Sequence, residues 1–156
     1  MTPQPIQDFY PDPIAVCYGC GRLNEHGLHI RSFWDGQAAV CVFRPQPYHR
    51  GFPGFVYGGL IASLIDCHAC GTAAAAAYDR DQRPPDSLPA YRFVTGTLNV
   101  KYIRPTPLDE DLELRATIRE IKGRKVTVDV TLSVLGELRV TGEVICLELP
   151  DEMALK

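Results

Sequence analysis

Residues 57 to 78 read YGGLIASLIDCHACGTAAAAAY, an apolar run with one carboxylate, Asp66, near its middle. Five consecutive alanines, Ala73 to Ala77, favour helix propagation. A helix that is apolar all round is a buried one, so the remainder of the chain has to wrap it. A carboxylate inside such a helix costs several kcal/mol unless it is paired or hydrogen-bonded. Gly58 and Gly59 stand at the helix start, where N–H groups lack intrahelical acceptors and carry partial positive charge. Bare N–H donors and a desolvated acid are the components of an acyl-transfer site.

The run is long enough to raise a membrane-span reading. Asp66, His68, the Gly pair and the lack of flanking basic or aromatic belts argue against it. A net charge of −3 and a pI near 5.8 argue against nucleic acid or an anionic membrane as the main partner. No secretory leader pattern is seen, so the six cysteines are expected as reduced thiols in a cytoplasmic protein.

Around the helix the organisation is that of one domain. Residues 1–16 hold four prolines and read as an extended N-terminal arm, 17–150 as the domain, and 151–156 as a C-terminal tail. Leu28–Trp34 and Ala38–Arg44 are strand candidates joined by Asp35-Gly36, a hairpin signal. The Pro/Gly-rich stretch that follows cannot be a regular element. After the polar loop Asp79–Pro89 the period changes to two. Leu98, Val100 and Tyr102, then Leu112 to Ile118, Val126 to Val134 and Leu138 to Leu149 give four strands with Gly-containing turns. One long helix, two strands before it and four after make an α+β layer, a six-stranded antiparallel sheet curled round the helix. One helix leaves sheet edges to protect, so a twofold dimer is expected.

The runs GFPGFVYGGLIASLID, TLNVKYIRPTPL and KGRK, with CYGCGRLNEHGL near the start, resemble the hotdog-fold acyl-CoA thioesterases. The resemblance covers about residues 17–149 and is strongest to the branch of phenylacetic-acid-pathway and mammalian thioesterase-superfamily proteins. It implies that Gly58 presents its N–H to the thioester carbonyl. Asp66 of the other subunit is implied as nucleophile or general base, and Thr95 as the hydroxyl holding the attacking water. Family members usually carry His before the Gly pair. Here that residue is Tyr57, which either donates its phenol to the carbonyl or lines the pocket. The resemblance also points to basic groups at the dimer seam, Arg104, Arg124 and Lys125, as partners of the CoA phosphates, with Gly59 beside them in substrate binding.

Chemistry supports the same residues. An N–H at a helix start stabilises an oxyanion by about 3 kcal/mol, and a desolvated carboxylate has its pKa raised toward values useful for a base. Gly58 and Asp66 are separated by about 12 Å along one helix, too far to share a carbonyl, so they must come from different chains. His68 lies on another face and reads as a core histidine. Cys17 and Cys20 with His26 and His29 offer a tetrahedral zinc set, but five residues between Cys20 and His26 are fewer than a zinc finger uses. No metal and no dissociable cofactor are expected. The predicted function is acyl-CoA hydrolysis by a homodimer or homotetramer. The alternative is a non-catalytic acyl-CoA-binding or sensing protein, and a hydratase is disfavoured for want of a paired Asp/His motif.

Overall fold

The computed structural model describes residues 3–153. Strands β1 (Phe33–Trp34) and β2 (Ala38–Phe43) form the expected hairpin, and β1 is only two residues long. Helix α1 spans Gly58–Arg80, two residues further than the apolar run. Four long strands follow: β3 (Phe93–Tyr102), β4 (Leu112–Lys122), β5 (Lys125–Val134) and β6 (Glu137–Glu148). All six join one antiparallel sheet in the order β1-β2-β4-β5-β6-β3.

Period-two alternation sets the inward face. Leu112, Leu114 and Ala116 of β4, Val126, Val128, Val130, Leu132 and Val134 of β5, and Val140 and Val144 of β6 are all buried. They close on Leu60, Ile61, Leu64, Ile65, Ala69 and Ala73 of α1. Full burial of one such aliphatic side chain contributes about 2 kcal/mol, so this interface is the main source of stability. Glycine on β6 leaves room for the helix: a Cβ on Gly142 would lie 2.6 Å from Ile65 Cγ2.

Two expectations are corrected. The helix is buried all round only in its C-terminal half, from Gly71 to Tyr78. In its N-terminal half Gly59, Ala62, Ser63 and Asp66 form a partly open face, because a single sheet cannot reach round to that side. The N-terminal arm, described from Pro3, is not an extended strip. It carries 3₁₀ turns at Ile6–Phe9 and Asp12–Ile14 and buries Ile6 and Gln7. Gln7 belongs to a closed polar network. Its Nε2 donates to Ser32 Oγ (3.2 Å), its Oε1 accepts the Ser32 N–H (2.8 Å), and Ser32 Oγ meets His68 Nδ1 at 2.7 Å. His68 Nε2 lies 3.1 Å from the Ala39 carbonyl. A carbonyl only accepts, so Nε2 carries the proton and Nδ1 accepts from Ser32. Burial pulls the imidazole down to about 4 against the raising effect of the Ala39 bond. His68 is a structural histidine of the core.

The α1 helix is the one element among the described residues long and apolar enough to cross a membrane, and most of its apolar window is buried in the fold. Strand β3 is an edge. Among the described residues it pairs with β6 alone, bulges between Thr95 and Thr97, and is exposed or half-buried along its whole length.

Candidate active site

The Pro/Gly-rich segment before α1 delivers the chain to the helix start in a fixed path. It has a 3₁₀ turn at Pro47–His49 and two isolated bridges, Arg50 to Val56 and Phe55 to Pro107. Val56 N–H donates to Thr106 O (2.9 Å) and Leu108 N–H to Gly54 O (3.0 Å), tying this loop to the segment after β3. Tyr57 is the N-cap residue, with extended backbone (φ −60°, ψ 129°) and no side-chain cap. Its carbonyl accepts from Leu60 (3.1 Å) and Ile61 (3.3 Å). Among the described residues the Gly58 and Gly59 N–H groups have no acceptor, which leaves the donors an anion or carbonyl needs.

Gly58 opens into a cavity of about 750 Å³, walled by Phe52, Phe55, Tyr57, Ile61, Tyr102 and Arg104, among others. Tyr102 Oη donates to the Gly58 carbonyl at 2.6 Å and fixes the first turn to β3. The Tyr57 ring lies over Gly59 so closely that a Cβ there would meet the ring at 2.5 Å. Glycine at 59 is therefore what lets the aromatic ring cover the helix start. Arg104 lines the same cavity, and Glu137 pairs with it.

Asp66 lies two turns along α1 and opens into a different cavity, of about 360 Å³. Thr95 Oγ1 donates to Asp66 Oδ1, and Cys70 Sγ is 3.4 Å from the same hydroxyl. The carboxylate is half-buried in the single chain, more open than the apolar helix suggested. Ser63, on the same open face, donates to the Gly59 carbonyl (2.9 Å), and Thr72 donates to the His68 carbonyl (2.7 Å).

The structure thus brings Tyr57, Gly58, Gly59 and Arg104 to one end of α1 and Asp66 with Thr95 to the other part of the open face. Arg124 and Lys125 join neither group. They sit on the exposed β4–β5 hairpin, at the end of the sheet where β3 begins. Sequence reasoning missed Tyr102, which it placed only in the strand alternation. Its position two residues before Arg104 was the available signal, since strand alternation puts both on one side.

A family model described as the thioesterase superfamily matches residues 53–141, which include Tyr57, Gly58, Asp66, Thr95, Arg104, Arg124 and Lys125. The chain belongs to the thioesterase superfamily. A thioesterase superfamily protein from Shewanella loihica PV-4 has a structure that superposes with a TM-score of 0.64 at 40% identity, covering 81% of this chain and 96% of that one. The PaaI protein of the phenylacetic acid degradation operon of E. coli superposes with a TM-score of 0.65 at 14% identity, over 79% of this chain and 81% of that one, a likeness of fold. The protein named acyl-coenzyme A thioesterase THEM4 from Bos taurus is 26% identical over 129 residues, 74% of this chain and 48% of the relative. This thioesterase-superfamily chain spans about half or less of the length of the curated relatives it matches. Its single helix wrapped by six antiparallel strands is the hotdog fold that the sequence resemblance implied.

Proposed function

We propose that the chain is an acyl-CoA thioesterase that hydrolyses its substrate to a carboxylic acid and free CoA, with each site made by two copies. The observation that carries this reading is the edge strand. At one end of β3 Thr95 touches Asp66, and at the other Tyr102 touches Gly58. An antiparallel pairing of two β3 edges centred between Leu98 and Asn99 sets Thr95 of one copy opposite Tyr102 of the other. The carboxylate cavity of one chain then meets the N–H donors of its partner. The same pairing covers the exposed edge and its apolar residues Val94 and Tyr102.

In that arrangement the Gly58 N–H polarises the thioester carbonyl, in the field of the helix start. Asp66 either deprotonates water held by Thr95 or attacks to give an anhydride that water resolves. Arg104 from the Gly58 end, and Arg124 and Lys125 from the Asp66 end, become the candidate partners for CoA phosphates. Names of relatives such as THEM4 support the substrate class. All six cysteines are free, which supports a reducing, cytoplasmic setting.

Free-thiol release from a panel of acyl-CoAs of different chain length tests this. Wild type should release thiol from at least one, and Asp66→Asn should be slower by roughly 10²–10⁴-fold, the usual share of a general base. Tight binding of acyl-CoA with no thiol release by wild type leaves the non-catalytic binding protein as the reading.

A further inference from the structure

We propose that Cys17, Cys20 and Cys67 form a binding site for a thiophilic d¹⁰ cation, Zn²⁺ above all, which clamps the N-terminal segment onto α1. The site is independent of the hydrolytic reading and departs from the sequence expectation of no metal. The zinc set considered from sequence does not assemble: His29 Nε2 is engaged with the Asn24 carbonyl at 2.7 Å. Helix α1 supplies the third ligand instead. The Sγ atoms of Cys17, Cys20 and Cys67 lie within 4.8 Å of one another, and Cys17 to Cys67 is 3.8 Å. Tetrahedral zinc with Zn–S bonds of about 2.3 Å requires neighbouring sulfurs about 3.8 Å apart.

The surrounding backbone is built for close approach of the three sulfurs. Residues 17–21 read CYGCG and turn tightly, with Gly21 N–H donating to the Cys17 carbonyl at 2.8 Å. Such a turn brings its two cysteines to one side, where the thiol of Cys67 from α1 meets them. Glycine at both positions is what allows the approach. A Cβ on Gly19 would lie 2.3 Å from Cys67 Sγ, and one on Gly21 would lie 2.4 Å from Cys17 N. Cys20 is buried, Cys67 half-buried and Cys17 exposed, so the site has an entry path. All three residues line the 360 Å³ cavity that also contains Asp66, which leaves a fourth coordination position for water or a small ligand. Three thiolates with an open fourth position suit Zn²⁺ and not a hard cation such as Mg²⁺.

Cobalt(II) titration of the reduced full chain under argon reads the site directly. One equivalent should give the sulfur-to-cobalt charge-transfer band and the intense visible bands of tetrahedral coordination, and Zn²⁺ should bleach both. Cys67→Ser and Cys20→Ser should lose most of the charge-transfer intensity, whereas Cys41→Ala, outside the cluster, should keep it. Because a variant could misfold, wild type is also alkylated with and without one equivalent of Zn²⁺ and mapped by mass spectrometry. Zn²⁺ should slow labelling of Cys17 and Cys67 by on the order of tenfold or more, since a metal-bound thiolate is a poor nucleophile. Labelling of Cys70 should be unaffected. No charge-transfer band, protection that ignores these two cysteines, or a Cys17–Cys67 disulfide that persists in reductant each overturns the proposal.

Discussion

At the scale of single residues, the site divides into groups whose role rests on position and groups whose role rests on chemistry. Asp66 is useful only if its carboxylate is held in one orientation, and Thr95 is the hydroxyl that holds it. A hydrogen bond to a charged acceptor is worth about 1.5–3 kcal/mol. Thr95→Val, which keeps the shape and removes the donor, should therefore lower kcat by roughly tenfold or more with little change in KM. A larger change in KM than in kcat would assign Thr95 to binding. Tyr57 poses a different problem, because its ring already covers Gly59, with the hydroxyl 2.9 Å from where a Cβ on Gly59 would lie. Tyr57→Phe keeps the ring and removes only the donor. If the phenol reaches the thioester carbonyl, steady-state rates should fall by roughly 10²–10³-fold, the range for losing one donor to a developing oxyanion. Unchanged rates would reduce Tyr57 to a wall of the pocket.

At the scale of elements, the hairpins β1–β2, β4–β5 and β5–β6 were legible because their signals are local. Period-two alternation marked the strands, and Asp35-Gly36, Lys122-Gly123 and Leu135-Gly136 marked the turns. What required the structure is non-local. No spacing reveals that β3, the strand right after the helix, pairs with the last strand β6 and not with β2 or β4. For the same reason the sequence paired Cys17 and Cys20 with nearby histidines, when the third thiol, Cys67, arrives from 47 residues beyond Cys20. The apolar content of α1 announced a core helix but not its half-open face, since glycine, alanine and serine suit both burial and close contact with another chain. Gly142 is a case where position in the sheet explains composition. It faces Ile65, whose Cγ2 would lie 2.6 Å from an added Cβ, and overpacking of this kind costs typically 1–3 kcal/mol. Gly142→Ala should lower unfolding free energy by about 2 kcal/mol in denaturant titration, more than a strand-propensity gain can offset.

At the scale of the whole molecule, the separation of Gly58 and Asp66 converts a question of mechanism into one of assembly. The two open to different cavities of one chain, and a helix of fixed rise holds them about 12 Å apart. A test needs a way to remove an N–H without disturbing the helix, and the backbone supplies one. Gly58 is the first residue of α1, where proline is well tolerated because the missing N–H has no intrahelical acceptor. Tyr57 before it already has the extended conformation that a following proline demands, and the nearest atom to an added Cβ is Tyr102 Oη at 3.5 Å. Gly58→Pro and Asp66→Asn homodimers should each lose roughly 10²-fold or more of activity. When the two variants are unfolded, mixed in equal amounts and refolded, half of the dimers are hybrids. Each hybrid contains one site with both lesions and one site with neither. The mixture should then recover about a quarter of wild-type activity, as twofold exchange of site components requires. If each site is instead built within one chain, every site in the mixture keeps one lesion, and the recovered activity stays at the level of the parents.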